Sequence, residues 1–421
     1  MPSADRLRSV TWGRLGTGRW ALLVAALSAV FVLTLFSRVA AAAPGDVFFT
    51  DEGSGGQGAV YKVGPAGGAP QLFASSDQLD NASGMAIDPT TGLLVVANFS
   101  ATLHTVDPAT GVIGVYATGP DGSDFGDLVF APDGGLYVTD GGPNTGAVFR
   151  VDPATKAFTP VASGFIPANN GREAAGIAAS RAGKLYITDF VDSVYVVDLA
   201  TGTGQLFARD AQLAGGDGLA FGPDEKSLYV AGFCVPVLDC ANSTGPPNQV
   251  ARIDMATGAV STVATLSDAV AVSPRTDGSL LVTNTDVNAL QIVPLTGSPI
   301  TDFSTGGDAL QYPHDSVIEP DLCAGKIPTI VGTAGADAIT GSPFADVIST
   351  LGGKDAVKAG GGNDIVCGGP GKDKIFGQAG KDRLFGQSGK DTISGGKGKD
   401  RVLGGKGKDV LKCTPIDPRC K

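Results

Sequence analysis

From residue 46 to residue 320 the apolar positions fall in short runs that are cut repeatedly by Asp, Asn, Gly and Pro. The stretch Gly126–Gly164 shows the unit: LVF, LYVT, AVFRV and FTPVA stand between PDGG, DGGPNTG and DPATK. Such runs are strand-sized, and the Gly and Asx residues between them supply positive φ and side-chain-to-backbone bonds for tight turns. The unit therefore predicts four short strands. Its second strand recurs as VFFTD (47–51), LLVVAN (93–98), LYVTD (136–140), LYITD (185–189), LYVAG (228–232) and LLVTN (280–284). Six four-stranded units at a period of ~40 to 50 residues predict a β-propeller of six blades.

Five units carry a first strand ahead of these, as MAIDP, LVFAP, IAASR, LAFGP and VAVSP, but nothing of the kind precedes VFFTD. The matching segment is SVIEP, residues 316–320. It is expected to complete the N-terminal blade and so close the ring without a free edge.

Beyond Pro320 the period changes to nine. Asp337, Asp346, Asp355, Asp364, Asp373, Asp382, Asp391, Asp400 and Asp409 recur at that spacing, each followed two residues later by an apolar side chain, from Ile339 to Leu411. Gly dominates the turn before each Asp, so every repeat reads as a Gly-rich turn and a short strand. The expected fold class is all-β, a six-bladed β-propeller plus a C-terminal repeat domain. Its divisions are 1–42 as a signal peptide, 43–320 as propeller, 321–331 as linker, 332–412 as repeats and 413–421 as a disulfide-closed end.

The signal peptide rests on Arg6, Arg8, Arg14 and Arg19 ahead of an apolar run from Trp20 to Phe36 and small residues at Ala40, Ala41 and Ala42. An uncleaved anchor is the other reading, since 17 residues just reach across a bilayer. Both place the body of the chain outside the cell, secreted or at the cell surface, with no stable membrane insertion if the segment is cleaved. Six cysteines, an even number, suit that oxidising compartment. Cys234 and Cys240 flank one loop and Cys413 and Cys420 another, which leaves Cys323 to meet Cys367; sequence does not fix this connectivity.

Charge separates the two parts. Residues 43–320 hold ten Lys and Arg against 30 Asp and Glu, whereas residues 321–421 hold 16 against 11. The net negative balance disfavours nucleic acid as a partner. Both Trp residues, Trp12 and Trp20, precede the cleavage point, so sugar stacking in the propeller would use Tyr or Phe.

Over residues 46–320 the PD, LYVTD and DPATG pattern resembles the six-bladed propellers of the gluconolactonase-like and NHL-repeat families. The resemblance implies a fold and no reaction. In GLAFGPDEKSLYV, Gly218–Val230, Asp217 stands where the gluconolactonase group has Asn, and no Glu-Gly-Pro occurs, so that group's metal site is not implied. Over residues 332–412 the chain resembles the haemolysin-type, repeats-in-toxin nonapeptide, best at GGPGKDKIF, GGKGKDRVL and GGKGKDVLK. That family implies a parallel β-roll with two repeats per turn, apolar residues inside, and calcium between turns held by Asp and turn carbonyls. Asp337, Asp355, Asp373, Asp391 and Asp409 would form one row and Asp346, Asp364, Asp382 and Asp400 the other. A calcium-independent solenoid, with Asp serving only as a turn residue, is the alternative. Lys354, Lys372, Lys381, Lys390, Lys399 and Lys408 precede six of the Asp residues and are expected to neutralise part of each row.

In a propeller the inner strands line a central channel, and Asp127, Asp217, Asp268, His314 and Asp315 fall near their starts. One reading is a channel-mouth site for a metal or a cationic or polyhydroxylated ligand; the other is Asp capping backbone amides in blade turns. His104, among Thr residues, is expected on a solvated surface. Two functions follow: an exported calcium-binding protein, expected to be monomeric, whose propeller binds an extracellular ligand or protein; or a secreted hydrolase or lyase, lactonase-like, using His314 and Asp217 as catalytic residues.

Overall fold

The computed structural model describes residues 44–53, 57–141, 147–167, 173–232, 248–306, 310 and 312–412. Six four-stranded antiparallel sheets make up the propeller. Their inner strands are Pro313–Ile318, Met85–Ile87, Phe125–Phe130, Ile177–Ser180, Gly216–Phe221 and Ala269–Pro274. Pro313–Ile318 pairs antiparallel with Val47–Asp51, so the last propeller strand completes the first blade and closes the ring.

The recurring second strands are buried along their whole length, as in VFFTD and LYVTD. The cause is face-to-face stacking. One core cluster joins Phe48, Val60 and Phe73 of the first blade to Met85, Leu94 and Val106 of the second; another joins Tyr186 and Val196 of the fourth blade to Leu228 and Ile253 of the fifth. With both faces covered, the strands read as continuous apolar runs without alternation.

The repeated polar residues hold these sheets in register. In the blade turns Asp107, Asp152, Asp198 and Asp254 each accept from the amide two residues on, at 2.8 to 3.1 Å, and Gly111, Gly202 and Gly258 follow with φ near +70°. The Thr of the TD pair links blades: Thr50 Oγ1 donates to the Ser83 carbonyl, and Thr188 Oγ1 to the Asp217 carbonyl at 3.1 Å.

Past the propeller, two five-stranded parallel sheets face each other. Residues pair with those 18 positions on: Ile330 with Ile348, Ile348 with Val366, Val366 with Leu384 and Leu384 with Val402 on one sheet; Ile339 with Val357, Val357 with Ile375, Ile375 with Ile393 and Ile393 with Leu411 on the other. Two nonapeptides thus make one turn of a parallel β-roll, and these residues fill its interior. Ile330–Val331 already belongs to the roll. Cys323 and Cys367 form a disulfide tying the connecting segment to the roll; Cys234, Cys240, Cys413 and Cys420 lie outside the described residues, as does the 1–42 segment. No helix among the described residues is long and apolar enough to cross a membrane.

The roll's first turn meets the propeller. Ala334 N donates to the Thr276 carbonyl at 2.8 Å, and Arg181 Nη1 to the Thr340 carbonyl at 3.4 Å. A cavity of about 630 Å³ is lined by inner strands of all six blades together with Ile327 and Ile330, which places the start of the roll over the C-terminal end of the channel.

Candidate functional site

In the roll, each Asp points inward and the residue before it outward, the period-two consequence of extended backbone. Asp346, Asp355, Asp364, Asp373, Asp382, Asp391 and Asp400 are buried. Their Oδ1 atoms knit the turns: Asp355 N donates to Asp373 Oδ1 and Asp364 N to Asp382 Oδ1, at 2.9 and 3.0 Å, and the same bond repeats along both rows. Half of each carboxylate is therefore a structural turn residue.

The other half is not satisfied. Oδ2 of Asp355, Asp364, Asp373, Asp382 and Asp391 is buried without a hydrogen-bond partner. A buried unpaired charge is costly, and burial pushes the carboxyls of Asp364, Asp373 and Asp382 up, to about 7, 6 and 6. Oδ2 of Asp373, Asp382 and Asp391 faces a space that only glycine leaves open, at Gly368, Gly377 and Gly386, whereas Thr350 and Ala359 hold the equivalent position before Asp355 and Asp364. A Cβ on Gly386 would stand 2.6 Å from Asp391 Oδ2 and 2.5 Å from the Gly404 carbonyl; on Gly368 it would stand 3.0 Å from Asp373 Oδ2 and 3.2 Å from the Gly386 carbonyl. Carboxylate and carbonyl oxygens converging between turns are the donor set of a hard cation, and calcium fits it. When bound, calcium supplies the positive charge that these oxygens lack.

The lysines do not supply it. Lys354, Lys372, Lys381, Lys390, Lys399 and Lys408 are exposed and, among the described residues, make no ion pair with either row. The expected neutralisation fails because neighbouring side chains on a strand point to opposite sides.

At the other end of the channel, Asp127 and Asp217 sit where the inner strands slip register, between Phe125 and Leu128 and between Gly216 and Leu219. Such bulges re-aim side chains. Asp127 Oδ2 accepts from Ile177 N of the next blade at 2.9 Å, and Asp315 Oδ2 from Met85 N at 2.7 Å, so both staple adjacent blades. Burial pushes both carboxyls up. Asp268 takes the Thr285 hydroxyl at 2.9 Å, has Asp286 as its charged neighbour, and is not brought to this group.

His314 Nε2 lies 2.9 Å from Glu52 Oε1. Burial alone would lower its pKa, but the Glu52 hydrogen bond and the charges of Asp217, Glu52 and Asp315 outweigh this, and the net shift is upward. Asp217 is pushed up to about 6 by burial, against the pull of His314. Glu173 is raised by burial and by Asp124 and Asp217. Phe99 lies edge-on to His314, ring centroids 6.4 Å apart, 46% exposed and with φ at 45°. A hydrogen-bonded His–Glu pair, two further carboxyls and an exposed ring thus surround one mouth. Among the described residues no three His, Cys, Asp or Glu side chains are arranged to hold a metal. Sequence reasoning missed Glu52, Glu173 and Phe99; the signal for two of them was their place directly after a second strand, where Glu52 follows TD and Phe99 follows Asn98.

His104 is also placed differently from expectation. It is 6% exposed, Nδ1 has no partner, and burial lowers its pKa, because it lies on the face of the second blade that, with its register partner Val96 and with Val106, packs against the first blade.

The family described as RTX calcium-binding nonapeptide repeat (4 copies) matches residues 340–375 and 376–411. With the roll's geometry, this defines a calcium-binding β-propeller protein. Among curated proteins no sequence matches the chain. Solved structures similar to it include a nidogen/laminin complex, at 14% identity and TM-score 0.51, covering 64% of this chain and 97% of that one. Virginiamycin B lyase from Staphylococcus aureus follows at 14% identity and TM-score 0.41, covering 56% and 73%; a candidate 6-phosphogluconolactonase from Bacteroides fragilis has 13% and 0.44, covering 65% and 97%. The likeness to the nidogen-containing structure is one of fold alone.

Proposed function

We propose that this is an exported calcium-binding protein in which the roll holds calcium between its turns and the propeller presents a ligand-binding mouth. The observation that carries it is the stack of five buried, unpartnered Asp Oδ2 atoms, three of which, on Asp373, Asp382 and Asp391, stand beside a glycine-lined space. The ligands are Asp Oδ2 and turn carbonyls of adjacent coils, with affinity in the extracellular range of about 0.1 to 1 mM. Export is supported by the arginine-flanked apolar N-terminal segment and by the disulfide. The ligand at the mouth is of extracellular origin, cationic or polyhydroxylated, facing Glu52, Glu173, Asp217 and the Phe99 ring.

Calorimetric titration of the full chain at constant ionic strength tests the calcium reading, alongside Asp373→Asn/Asp391→Asn. The parent is expected to bind in the millimolar range or tighter and the variant to lose sites. No heat from the parent at several millimolar calcium, or identical binding by both, overturns it.

A second reading, a hydrolase or lyase, is favoured by the His314–Glu52 pair beside Asp217, whose raised pKa suits proton transfer near neutrality. Under it, His314→Gln abolishes turnover of a lactone or ester without lowering stability at pH 8, where the ring is neutral; no turnover across a broad panel of both leaves the binding reading standing.

A further inference from the structure

The two rows of Asp are not equivalent along their length. In seven repeats the residue four before Asp adopts a left-handed conformation: Leu351, Gly360, Gly369, Gln378, Gln387, Gly396 and Gly405, with φ between 64° and 110°. In the first two repeats this position holds Thr333 and Ser342, neither of them left-handed. A β-branched residue strongly avoids that region, and Ser pays the ordinary Cβ penalty there.

The turn then takes another course. Thr333 N donates to Asp337 Oδ2 at 2.7 Å and Thr333 Oγ1 to the same atom at 3.1 Å; Ser342 N and Oγ donate to Asp346 Oδ2 at 2.6 and 2.9 Å. The two Oδ2 atoms that would begin the calcium ladder are thus saturated by protein donors, and neither is among the unpartnered ones. The rest of the site is unchanged. A Cβ on Gly332 would meet Asp337 Oδ2 at 2.7 Å and the Thr350 carbonyl at 3.0 Å, the same convergence found farther along.

A cation is nevertheless supplied at this end, by the propeller. Arg181, its side chain 14% exposed, is anchored to the Pro223 carbonyl at 2.6 Å and paired with Glu225 at 3.5 Å; it reaches the Thr340 carbonyl, and its charge acts on Asp346 and Asp337. Buried charge needs a nearby counter-charge, and a fixed guanidinium meets that need without an ion from solution.

We infer that the first turn of the roll, residues 332–349, is closed to calcium by the amides and hydroxyls of Thr333 and Ser342 and is held by Arg181, so that calcium occupies only the positions from Asp355 to Asp391. This rests on the calcium reading of the roll and adds to it a boundary. The calcium-free chain keeps one folded turn on the propeller, and calcium orders the later turns upon it. Replacing Thr333 and Ser342 by glycine, which four of the other seven repeats hold there, removes the hydroxyls and permits the left-handed turn, which opens two more sites.

Native mass spectrometry of the full chain counts the ions, and hydrogen exchange without calcium maps the folded turns. The parent should bind five calcium ions, and Thr333→Gly/Ser342→Gly two more. In chelator, amides of residues 338–349 should exchange at least tenfold more slowly than those of residues 374–412, and the double variant should lose that difference. A parent that binds no calcium overturns the calcium reading itself. A parent that binds five with a variant that also binds five, or a first turn that exchanges as fast as the last, overturns the closure alone. Should the variant not fold, the exchange map of the parent still decides.

Discussion

Asp217 shows how one residue links the channel to pH. Its carboxyl is near 6 in the fold against an ordinary value of 3.8, because burial disfavours its charge. Folding is therefore favoured by this residue below pH 4, where it is neutral in both states, and the contribution is lost as pH rises through 6. His314 acts in the same direction, since its raised pKa stabilises the fold at low pH and ceases to do so once the ring deprotonates. Asp217→Asn should raise the propeller's stability at pH 8 by ~1 to 2 kcal/mol, after allowance for water in the channel, and change little at pH 4. Melting temperatures across that range check it; equal shifts at both pH values count against a buried, ionisable Asp217. Gly386 tests the roll at the same scale. Gly386→Ala places a methyl between Asp391 Oδ2 and the Gly404 carbonyl, and should both remove one calcium ion and destabilise the calcium-loaded roll by ~1 to 3 kcal/mol. A titration with unchanged stoichiometry would show that the cation does not sit there.

Among the elements, the closing strand matters most. Pro313–Ile318 is bonded to the first blade along Val47–Asp51, Ser273 Oγ donates to the Ser316 carbonyl at 2.7 Å, and Asp315 reaches Met85 in the second blade. Three blades thus depend on one strand. A chain ending at Lys326 should melt cooperatively and a chain ending at Gly307 should not; matching transitions would contradict closure by this strand. Strands of this kind were legible in the sequence because LYVTD and DPATG repeat, and the roll was legible because Asp and an apolar residue keep step every nine positions. The expectation of a solvated His104, drawn from its Thr neighbours, failed because blades bury both faces. Glu173 stayed hidden because no repeat marks it, and Glu52, although it follows a second strand, because the mouth gathers residues from separate blades and only the ring's closure brings Glu52 to His314. The lysines misled because their nearness in sequence to Asp is cancelled by the opposite pointing of neighbouring side chains. Arg181, from a blade turn far from the repeats, gave no signal of its reach to Thr340.

For the molecule as a whole, the charges are sorted by layer as well as by domain. Between residues 332 and 412 the roll has thirteen Lys and Arg, all but Arg383 exposed, and its nine acids are the repeat Asp residues, seven of them buried. The roll is basic outside and acidic inside. Because its outer charge does not pair with the inner oxygens, its stability should rise with an ion from solution, except at the turn on the propeller. In the propeller, by contrast, Asp127 and Asp315 are satisfied by amides of neighbouring blades. Calcium should act on one part of the chain only. Differential scanning calorimetry of the full chain, in chelator and in calcium, measures this most directly. At ten times the dissociation constant each site adds about 1.4 kcal/mol, so the roll's transition should move upward with calcium while the propeller's stays in place, and Asp373→Asn/Asp391→Asn should reduce the movement. Superimposable scans with and without several millimolar calcium would contradict a calcium-filled roll.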